Sequence, residues 1–149
     1  VTMLRHPVYR WLSNYYYNLY RPQKYEIRDE IHDFVKTERA RKLGSLTVSI
    51  FSEGLNESDS YTDIAIEKAK RNLTQFSIVG CSEKISDFDS KYFTKFNKKI
   101  NIQHLNVGQK RNLQSQLKKQ TWNEIWSICK PDIELYQEFF KNIEGPRLN

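Results

Sequence analysis

The chain has 149 residues, of which 38% are hydrophobic and 13% aromatic, so we expect one globular domain over residues 1–149 with a core of its own. Charged residues make up 28%, and the low content of 5 Gly and 4 Pro excludes a long disordered, linker-like or collagen-like chain. The formal net charge of +6 favours anionic partners, which include nucleotides, phosphate, nucleic acids and acidic polysaccharides.

The first predicted elements are a strand and a helix. Val1 to Leu4 is apolar and β-branched, which predicts a core strand, and because nothing leads into it we expect that an N-terminal portion of the domain is missing. Pro7 suits the first position of a helix, where a missing N–H costs nothing, and apolar residues then recur in steps of three and four to about Tyr20. A strand that enters a helix in this way predicts an α/β fold.

The middle of the chain predicts two helices and two strands. Residues 25–41 have an amphipathic helical pattern that Gly44 ends, and Leu46 to Phe51 predicts a short strand. Tyr61 to Phe76 predicts a helix, and Phe76 to Gly80 predicts a buried strand directly after it. The residues expected on the core side of that helix are Tyr61, Ile64, Ala65, Ala69, Leu73 and Phe76. A helix followed by a strand predicts a mostly parallel sheet.

The last third of the chain predicts three helices and a basic loop. Ile85 to Phe96 has helical periodicity, whereas Lys98 to Arg111 is rich in basic residues and predicts a loop. Thr121 to Ile128 predicts another helix, and the last helix is expected to begin at Pro131. Asp132, near its start, suits the positive end of the helix dipole.

A candidate anion site follows the first strand. Arg5 lies at the strand end, where the next helix presents unpaired N–H groups and a positive dipole, so an anion there meets a guanidinium and backbone donors together. Ser13 follows eight residues later in the helix, on the side of Arg10, and can offer a hydroxyl to the same anion. The alternative interpretation is that Arg5 pairs with a carboxylate and that Ser13 is a neutral helix residue.

This segment resembles the 3′-phosphate-binding segment of the carbohydrate O-sulfotransferases that use PAPS (3′-phosphoadenosine-5′-phosphosulfate). The family includes the heparan sulfate 2-O- and 6-O-sulfotransferases and the chondroitin sulfotransferases. The shared features are a strand, the run Arg-x-Pro-x-x-Arg-x-x-Ser from Arg5 to Ser13, and a tyrosine cluster at residues 15–17.

Three further segments resemble the family's patterns in the same order along the chain. Ala65 to Leu73, followed by Phe76 to Gly80 and then Glu83, is similar to the family's helix and V-G-x-x-E strand. His104 to Gly108 is similar to its H-x-N-x-S/T loop, which in the family lies near the cofactor. Asp132 to Tyr136 is similar to its closing D-x-x-L-Y helix.

The resemblance implies a three-layer α/β fold of the P-loop nucleotide-kinase-like type, of which this chain is the helix-rich C-terminal part. It implies that the complete protein transfers a sulfuryl group from its cosubstrate PAPS to a hydroxyl. A carbohydrate is the expected acceptor, and neither a metal nor a nucleic-acid partner is expected. Arg5 and Ser13 are then expected to bind the 3′-phosphate, and the loop with Asn106, Gly108 and Lys110 is expected to cover the nucleotide.

The chain also departs from the family's pattern. His6 stands where Asp is usual, and Gly108 replaces the hydroxyl of the loop. The family's 5′-phosphosulfate loop, a lysine-bearing segment near the N-terminus, has no match in this sequence, and the catalytic base comes from the same upstream part. Because sulfuryl transfer needs that base and a cationic group on the bridging oxygen, we expect no catalytic residue in this chain and no activity from it alone.

The main alternative is a basic module that binds nucleic acid or another polyanion without catalysis. Its candidate surface is the run of basic residues from Lys91 to Lys119, with Tyr92, Phe93 and Phe96 beside them. The helical spacing of these aromatics predicts that they belong to the core instead. A third interpretation is an interaction domain of the same fold without catalysis. A cytoplasmic location in a bacterium and a Golgi-lumen location in a eukaryote are both left open.

The cysteines and histidines do not indicate a second site. Cys81 and Cys129 lie far apart among apolar neighbours, which predicts buried thiols rather than a metal site or a disulfide. His32 is predicted on a helix surface and His6 in the turn before a helix. No apolar stretch approaches the length of a membrane span.

Overall fold

The computed structural model of the chain describes residues 1–19, 26–53, 61–100, 102, 117–141 and 145. Helices dominate these residues, and the strands among them form one small sheet. The strands are β1 (Thr2–Leu4) and β2 (Val79–Cys81), and a 3₁₀ turn follows β2 at Ser82–Lys84. The α-helices are α1 (Pro7–Leu19), α2 (Ile31–Phe34), α3 (Glu38–Gly44), α4 (Leu46–Phe51), α5 (Asp63–Leu73), α6 (Ile85–Phe96), α7 (Lys119–Ile128) and α8 (Lys130–Phe139).

The two strands pair in parallel, with Thr2 opposite Val79 and Leu4 opposite Cys81. A parallel pair needs a long crossover, which here runs through α1 to α5. The carboxyl ends of both strands therefore meet at one edge of the sheet, where β1 leads into α1 and β2 leads into the 3₁₀ turn. The predicted parallel pairing and the α/β class are confirmed in this helix-rich form.

Helices cover both faces of the sheet. On one face Gly80 meets α6 directly, since a Cβ at this position would lie 2.2 Å from a ring carbon of Phe88. On the other face Leu4 and Cys81 belong to a core cluster with residues of α4, α5 and α8. Successive strand residues point to opposite faces, which accounts for the different surroundings of Gly80 and Cys81. The sheet thus lies between α6 and the group formed by α4, α5 and α8.

A second core cluster holds α1 in place. Trp11 is fully buried there, and its indole N–H donates to the carbonyl oxygen of Ala40 in α3 at 3.0 Å. The rings of Phe34 and Tyr15 lie 5.7 and 6.0 Å from the Trp11 ring between centroids, and Ile125 of α7 belongs to the same cluster. Aromatic side chains of this size dominate the free energy of burial in a core. This cluster fixes α1, and with it the turn after β1, against the helices that follow.

Leu46–Phe51 is a helix, so the strand predicted there is wrong. Its β-branched residues favour a strand locally, but the buried Asp132 carboxylate accepts hydrogen bonds from the backbone N–H groups of Thr47 and Val48 at 2.8 and 2.7 Å. The first N–H groups of a helix lack intrahelical acceptors, and a carboxylate that satisfies them also suits the helix dipole. A tertiary contact therefore overrides the local preference.

The helix predicted over residues 25–41 is divided. Its first part, residues 26–30, has no regular structure, and α2 and α3 are separate helices on either side of Thr37. The Thr37 hydroxyl accepts a first-turn N–H of α3 at 3.1 Å, a capping contact that starts this helix. The predicted end at Gly44 is confirmed, and a Cβ there would lie 2.2 Å from the carbonyl oxygen of Ile128. Gly44 thus allows α3 to pack closely against the end of α7.

The other helices lie where they are predicted, but the predicted core face of α5 is wrong in part. Thr62 caps α5, so this helix is shorter than expected, and β2 begins later than the predicted strand. Tyr61, Ile64 and Phe76 are exposed rather than buried, and 76% of Ile64 is accessible to solvent. Ile66 takes a core position in their place. Ala65, Ala69 and Leu73 are buried as predicted, whereas Tyr61 and Phe76 lie beyond the two ends of the helix.

Candidate anion-binding site

Arg5 lies directly after β1 and is exposed, at the edge where both strands end. Its guanidinium makes no hydrogen bond or ion pair with any residue that the structure describes. Ligands of open α/β sheets bind outside the carboxyl ends of the strands, which is where Arg5 stands. Within these residues the alternative interpretation, in which Arg5 pairs with a carboxylate, is not observed.

The start of α1 provides a backbone donor near Arg5. The first hydrogen bond of this helix runs from the Arg10 N–H to the His6 carbonyl oxygen at 2.9 Å. The N–H groups of Val8 and Tyr9 precede it and therefore lack intrahelical acceptors. Val8 is fully buried, so of these two the Tyr9 N–H, on a partly exposed residue, is the donor open to an external anion. The first turn of α1 contains no acidic residue that could compete with an external anion. Guanidinium and helix N-terminus together have the chemistry that binds phosphate.

Glu83, in the 3₁₀ turn after β2, holds the Arg5 turn (Arg5 and His6) through the backbone. Its Oε1 accepts a hydrogen bond from the His6 N–H at 3.0 Å, and its Oε2 accepts one from the Tyr136 O–H at 3.1 Å. Tyr136 is buried in α8, and burial raises the pKa of its hydroxyl far above the ordinary range, so it stays a donor. In the sequence, Glu83 stands out only as the last residue of the V-G-x-x-E pattern. Its hydrogen bond with His6, 77 residues away, could not be predicted from any local pattern.

His6 stands in the turn as expected, but its side chain is buried rather than directed to solvent, with 4% exposed. Its ring lies edge-on to the rings of Tyr9, Trp126 and Tyr136, with centroids 5.6, 5.7 and 5.3 Å away. Burial lowers the pKa of His6, and the negative charge of Glu83 opposes this effect. The imidazole is therefore neutral at physiological pH and packs among aromatic rings beside the turn, so it is not a cationic ligand of the anion.

Ser13 and Arg10 lie on the same helix but differ in what they contact. Ser13 is exposed in the second turn of α1, about 9 Å along the helix axis from Pro7. Arg10 is drawn inward, where one guanidinium nitrogen donates to the Leu43 carbonyl oxygen at 2.7 Å and to the Asp132 carboxylate at 2.6 Å. Arg10 is thus partly buried and engaged by Leu43 and Asp132. Ser13 reaches the same anion as Arg5 only if that anion lies alongside the first turns of α1.

The predicted cover of the nucleotide is not part of what the structure describes. Asn106, Gly108 and Lys110 all lie outside the described residues, as does His104 of the same loop. Of the five predicted site residues, Arg5 and Ser13 are therefore the ones whose positions can be compared with the prediction. Both are exposed on the same strand-turn-helix segment.

The basic surface on α6 has a different arrangement from the one predicted. Phe93 and Phe96 are 46% and 39% exposed, so their predicted place in the core is wrong. Lys91 and Lys95 line a groove of about 500 Å³ between α6 and the residues that lead into β2, and the Lys95 ammonium donates to the carbonyl oxygen of Ser77 at 3.2 Å. At about 100° per residue Phe93 points away from Lys91 and Lys95, so its ring lies on the side of the helix opposite the lysines.

The remaining polar groups give no second centre in this part of the chain. Cys81 and Cys129 are free and buried, as predicted, and burial raises the pKa of the Cys129 thiol to about 12, which leaves no reactive thiolate there. Among the described residues, no three His, Cys, Asp or Glu side chains come together in a way that could hold a metal ion. None of the described helices combines the length and the apolar character that crossing a bilayer requires.

The site thus consists of a guanidinium that has no partner among the described residues, the Tyr9 N–H at the start of α1, and a turn whose His6 N–H is bound by Glu83. Comparisons of the chain with protein-family models, with curated proteins and with solved structures found no match.

Proposed function

We propose that this chain is the 3′-phosphate-binding part of a PAPS-dependent sulfotransferase that acts on a hydroxyl, with a carbohydrate as the expected acceptor. The observation that carries the proposal is the exposed Arg5 guanidinium, which has no partner among the described residues and stands directly before the first turn of α1, where the Tyr9 N–H lacks an intrahelical acceptor. The placement of the sheet between α6 and the α4, α5 and α8 group supports a three-layer fold of the P-loop nucleotide-kinase-like type.

In this proposal Arg5 binds the 3′-phosphate through two parallel N–H donors, and the N–H group of Tyr9 at the start of α1 binds a further phosphate oxygen. The Ser13 hydroxyl donates a further hydrogen bond to a phosphate that extends along the helix. Asn106, Gly108 and Lys110 cover the nucleotide. No residue of the site needs to gain or lose a proton, since binding and orientation are its whole contribution.

The reaction itself is an in-line displacement in the complete protein. The acceptor oxygen forms a bond to sulfur while the bond from sulfur to the bridging phosphate oxygen breaks. The proton of the acceptor hydroxyl passes to a base, and adenosine 3′,5′-bisphosphate leaves. The base and the cation that stabilises the bridging oxygen belong to a part of the protein that this chain does not contain in our proposal. The chain alone is therefore expected to bind the nucleotide without turning it over.

Titration calorimetry with adenosine 3′,5′-bisphosphate tests this proposal. The wild-type chain is expected to bind it, and Arg5→Ala is expected to weaken binding by at least about tenfold, the value of one hydrogen-bonded charge pair. Arg71→Ala is the matched control, because Arg71 is also an exposed arginine but lies on α5. Equal affinities of the wild type and Arg5→Ala would show that the turn does not bind the phosphate.

The second candidate function is a polyanion-binding module, and the groove beside Lys91 and Lys95 favours it. Single-stranded nucleic acids bind where a basic groove and stacking aromatics act together, whereas here the exposed Phe93 lies on the opposite side of α6. A nucleic acid that binds this groove would show an affinity that falls steeply with salt. That affinity would also fall in Lys91→Glu with Lys95→Glu and would not change in Arg5→Ala.

A further inference from the structure

The contacts of Glu83 give it a role at the proposed phosphate site that goes beyond the binding residues. We infer that Glu83 is the positioning residue of this site, which fixes the Arg5 turn without touching the ligand. The inference rests on the proposed function, since it assumes that the Arg5 turn binds a phosphate.

Glu83 replaces a hydrogen-bond acceptor that the sheet does not provide. The Thr2 N–H donates to the Ile78 carbonyl oxygen at 3.0 Å, and the same parallel ladder continued for four more residues would direct the His6 N–H to the Ser82 carbonyl oxygen. The chain turns into a 3₁₀ helix at Ser82, so the ladder ends there. The Glu83 side chain provides the acceptor instead, since its Oε1 accepts a hydrogen bond from the His6 N–H at 3.0 Å. The conformation of the residue after Arg5 is therefore set by a side chain.

Tyr136 orients Glu83 in turn. Its hydroxyl donates to the second carboxylate oxygen at 3.1 Å, and Tyr136 is 2% exposed in α8, so packing determines where this donor lies. Both oxygens of Glu83 are engaged, one by the turn and one by the core. A helix at the far end of the chain thereby restrains the turn that presents Arg5.

Glu83 could act on binding in two ways, by positioning the Arg5 turn or through its charge, and the charge argues for positioning. A carboxylate near a phosphate site opposes anion binding through like-charge repulsion, so Glu83 can favour binding only through geometry. Glutamine at this position keeps both contacts, because its amide oxygen can accept the His6 N–H and its amide nitrogen can donate to the Tyr136 oxygen. Alanine removes both contacts. The two variants therefore separate the hydrogen bonds from the charge.

The test is calorimetric affinity for adenosine 3′,5′-bisphosphate in Glu83→Gln, Glu83→Ala and Tyr136→Phe, each compared with the wild type and with Glu138→Ala, an exposed glutamate on α8. We expect Glu83→Ala to lose about tenfold in affinity and Glu83→Gln to bind at least as well as the wild type. Rescue by glutamine would not follow if Glu83 acted through its charge. Circular dichroism of each variant reports whether the fold is kept.

Some outcomes would overturn the inference, and others would separate its failure from that of the proposed function. Wild-type affinity in Glu83→Ala, or an equal loss in Glu83→Gln and Glu83→Ala, contradicts positioning. If Glu83→Ala does not fold, Tyr136→Phe is the deciding variant, because it removes the donor to one carboxylate oxygen of Glu83. It is expected to weaken binding several-fold. An unchanged affinity in Tyr136→Phe overturns the inference. If Arg5→Ala binds like the wild type, the proposed function itself fails. A loss in Arg5→Ala without one in Glu83→Ala removes only the role of Glu83.

Discussion

The guanidinium of Arg10 and the carboxylate of Asp132 form a 2.6 Å ion pair that joins α1 to α8. The Asp132 side chain is fully buried, and it also accepts the two N–H groups that start α4. Burial raises the pKa of Asp132, while the Arg10 charge and the backbone donors oppose this rise. Arg10 further donates to Leu43 at the end of α3. The ion pair of Arg10 and Asp132 thus connects four helices, α1, α3, α4 and α8.

Replacement of Asp132 by Ala is expected to destabilise the protein strongly. The Arg10 guanidinium would lose its counter-charge in the core, and the start of α4 would lose both of its acceptors. Removal of one partner of a buried pair costs about 3–5 kcal/mol in the free energy of unfolding. Urea denaturation followed by circular dichroism measures this change. Asp33→Ala, at a carboxylate that is 62% exposed, is the control, and a cost for Asp132→Ala as small as that of the control would contradict the assignment.

Stability is expected to fall on acidification because of His6. Burial holds the pKa of His6 below its ordinary value of 6.5, so the unfolded chain binds a proton at a higher pH than the folded chain does. The contribution of His6 to stability is complete above the ordinary pKa and is lost as the pH falls toward the lowered one. Urea denaturation between about pH 8 and about pH 5 should show this decrease.

His6→Phe should flatten this pH dependence, because the new ring cannot take up a proton. His32→Phe, at an exposed histidine on α2, should leave it unchanged. An unaltered slope in His6→Phe would show that other groups cause the acid sensitivity.

Gly80→Ala is expected to destabilise the sheet through contact with α6. Its Cβ would lie 2.2 Å from a ring carbon of Phe88, and overpacking of this kind costs about 1–3 kcal/mol. Thermal unfolding of Gly80→Ala alone and together with Phe88→Leu measures the coupling between the two positions. The destabilisation caused by Gly80→Ala should be smaller in the Phe88→Leu background, where the ring is absent. The same cost in both backgrounds would refute direct packing of β2 on α6.

Much of the fold could be predicted from the sequence because its signals are local. Pro7 marks the start of α1, and the period of the apolar residues locates α6, α7 and α8. The conformation of Leu46–Phe51 could not be predicted, because its β-branched residues favour a strand and the carboxylate that starts the helix comes from Asp132, 85 residues away from Thr47. The same contacts show that Asp132, predicted only to suit the positive end of its own helix, is a buried acceptor for another helix.

The candidate site could be predicted only in its local part. Arg5 follows the strand and precedes Pro7, an arrangement that the order of residues shows directly. The hydrogen bond from the His6 N–H to Glu83 depends on the register of β1 against β2. Two of the aromatic rings around His6, those of Trp126 and Tyr136, come from helices far along the chain. Such contacts depend on tertiary packing, which periodicity does not encode.

The most direct test of the proposed function is whether Arg5 recognises the 3′-phosphate itself. Calorimetric affinities of the wild type and Arg5→Ala for adenosine 3′,5′-bisphosphate are compared with those for adenosine 5′-phosphate, which lacks the 3′ group. The wild type is expected to prefer the bisphosphate by at least about tenfold, and Arg5→Ala is expected to lose this preference. If both proteins show the same preference, or if the wild type shows none, Arg5 does not bind the 3′-phosphate.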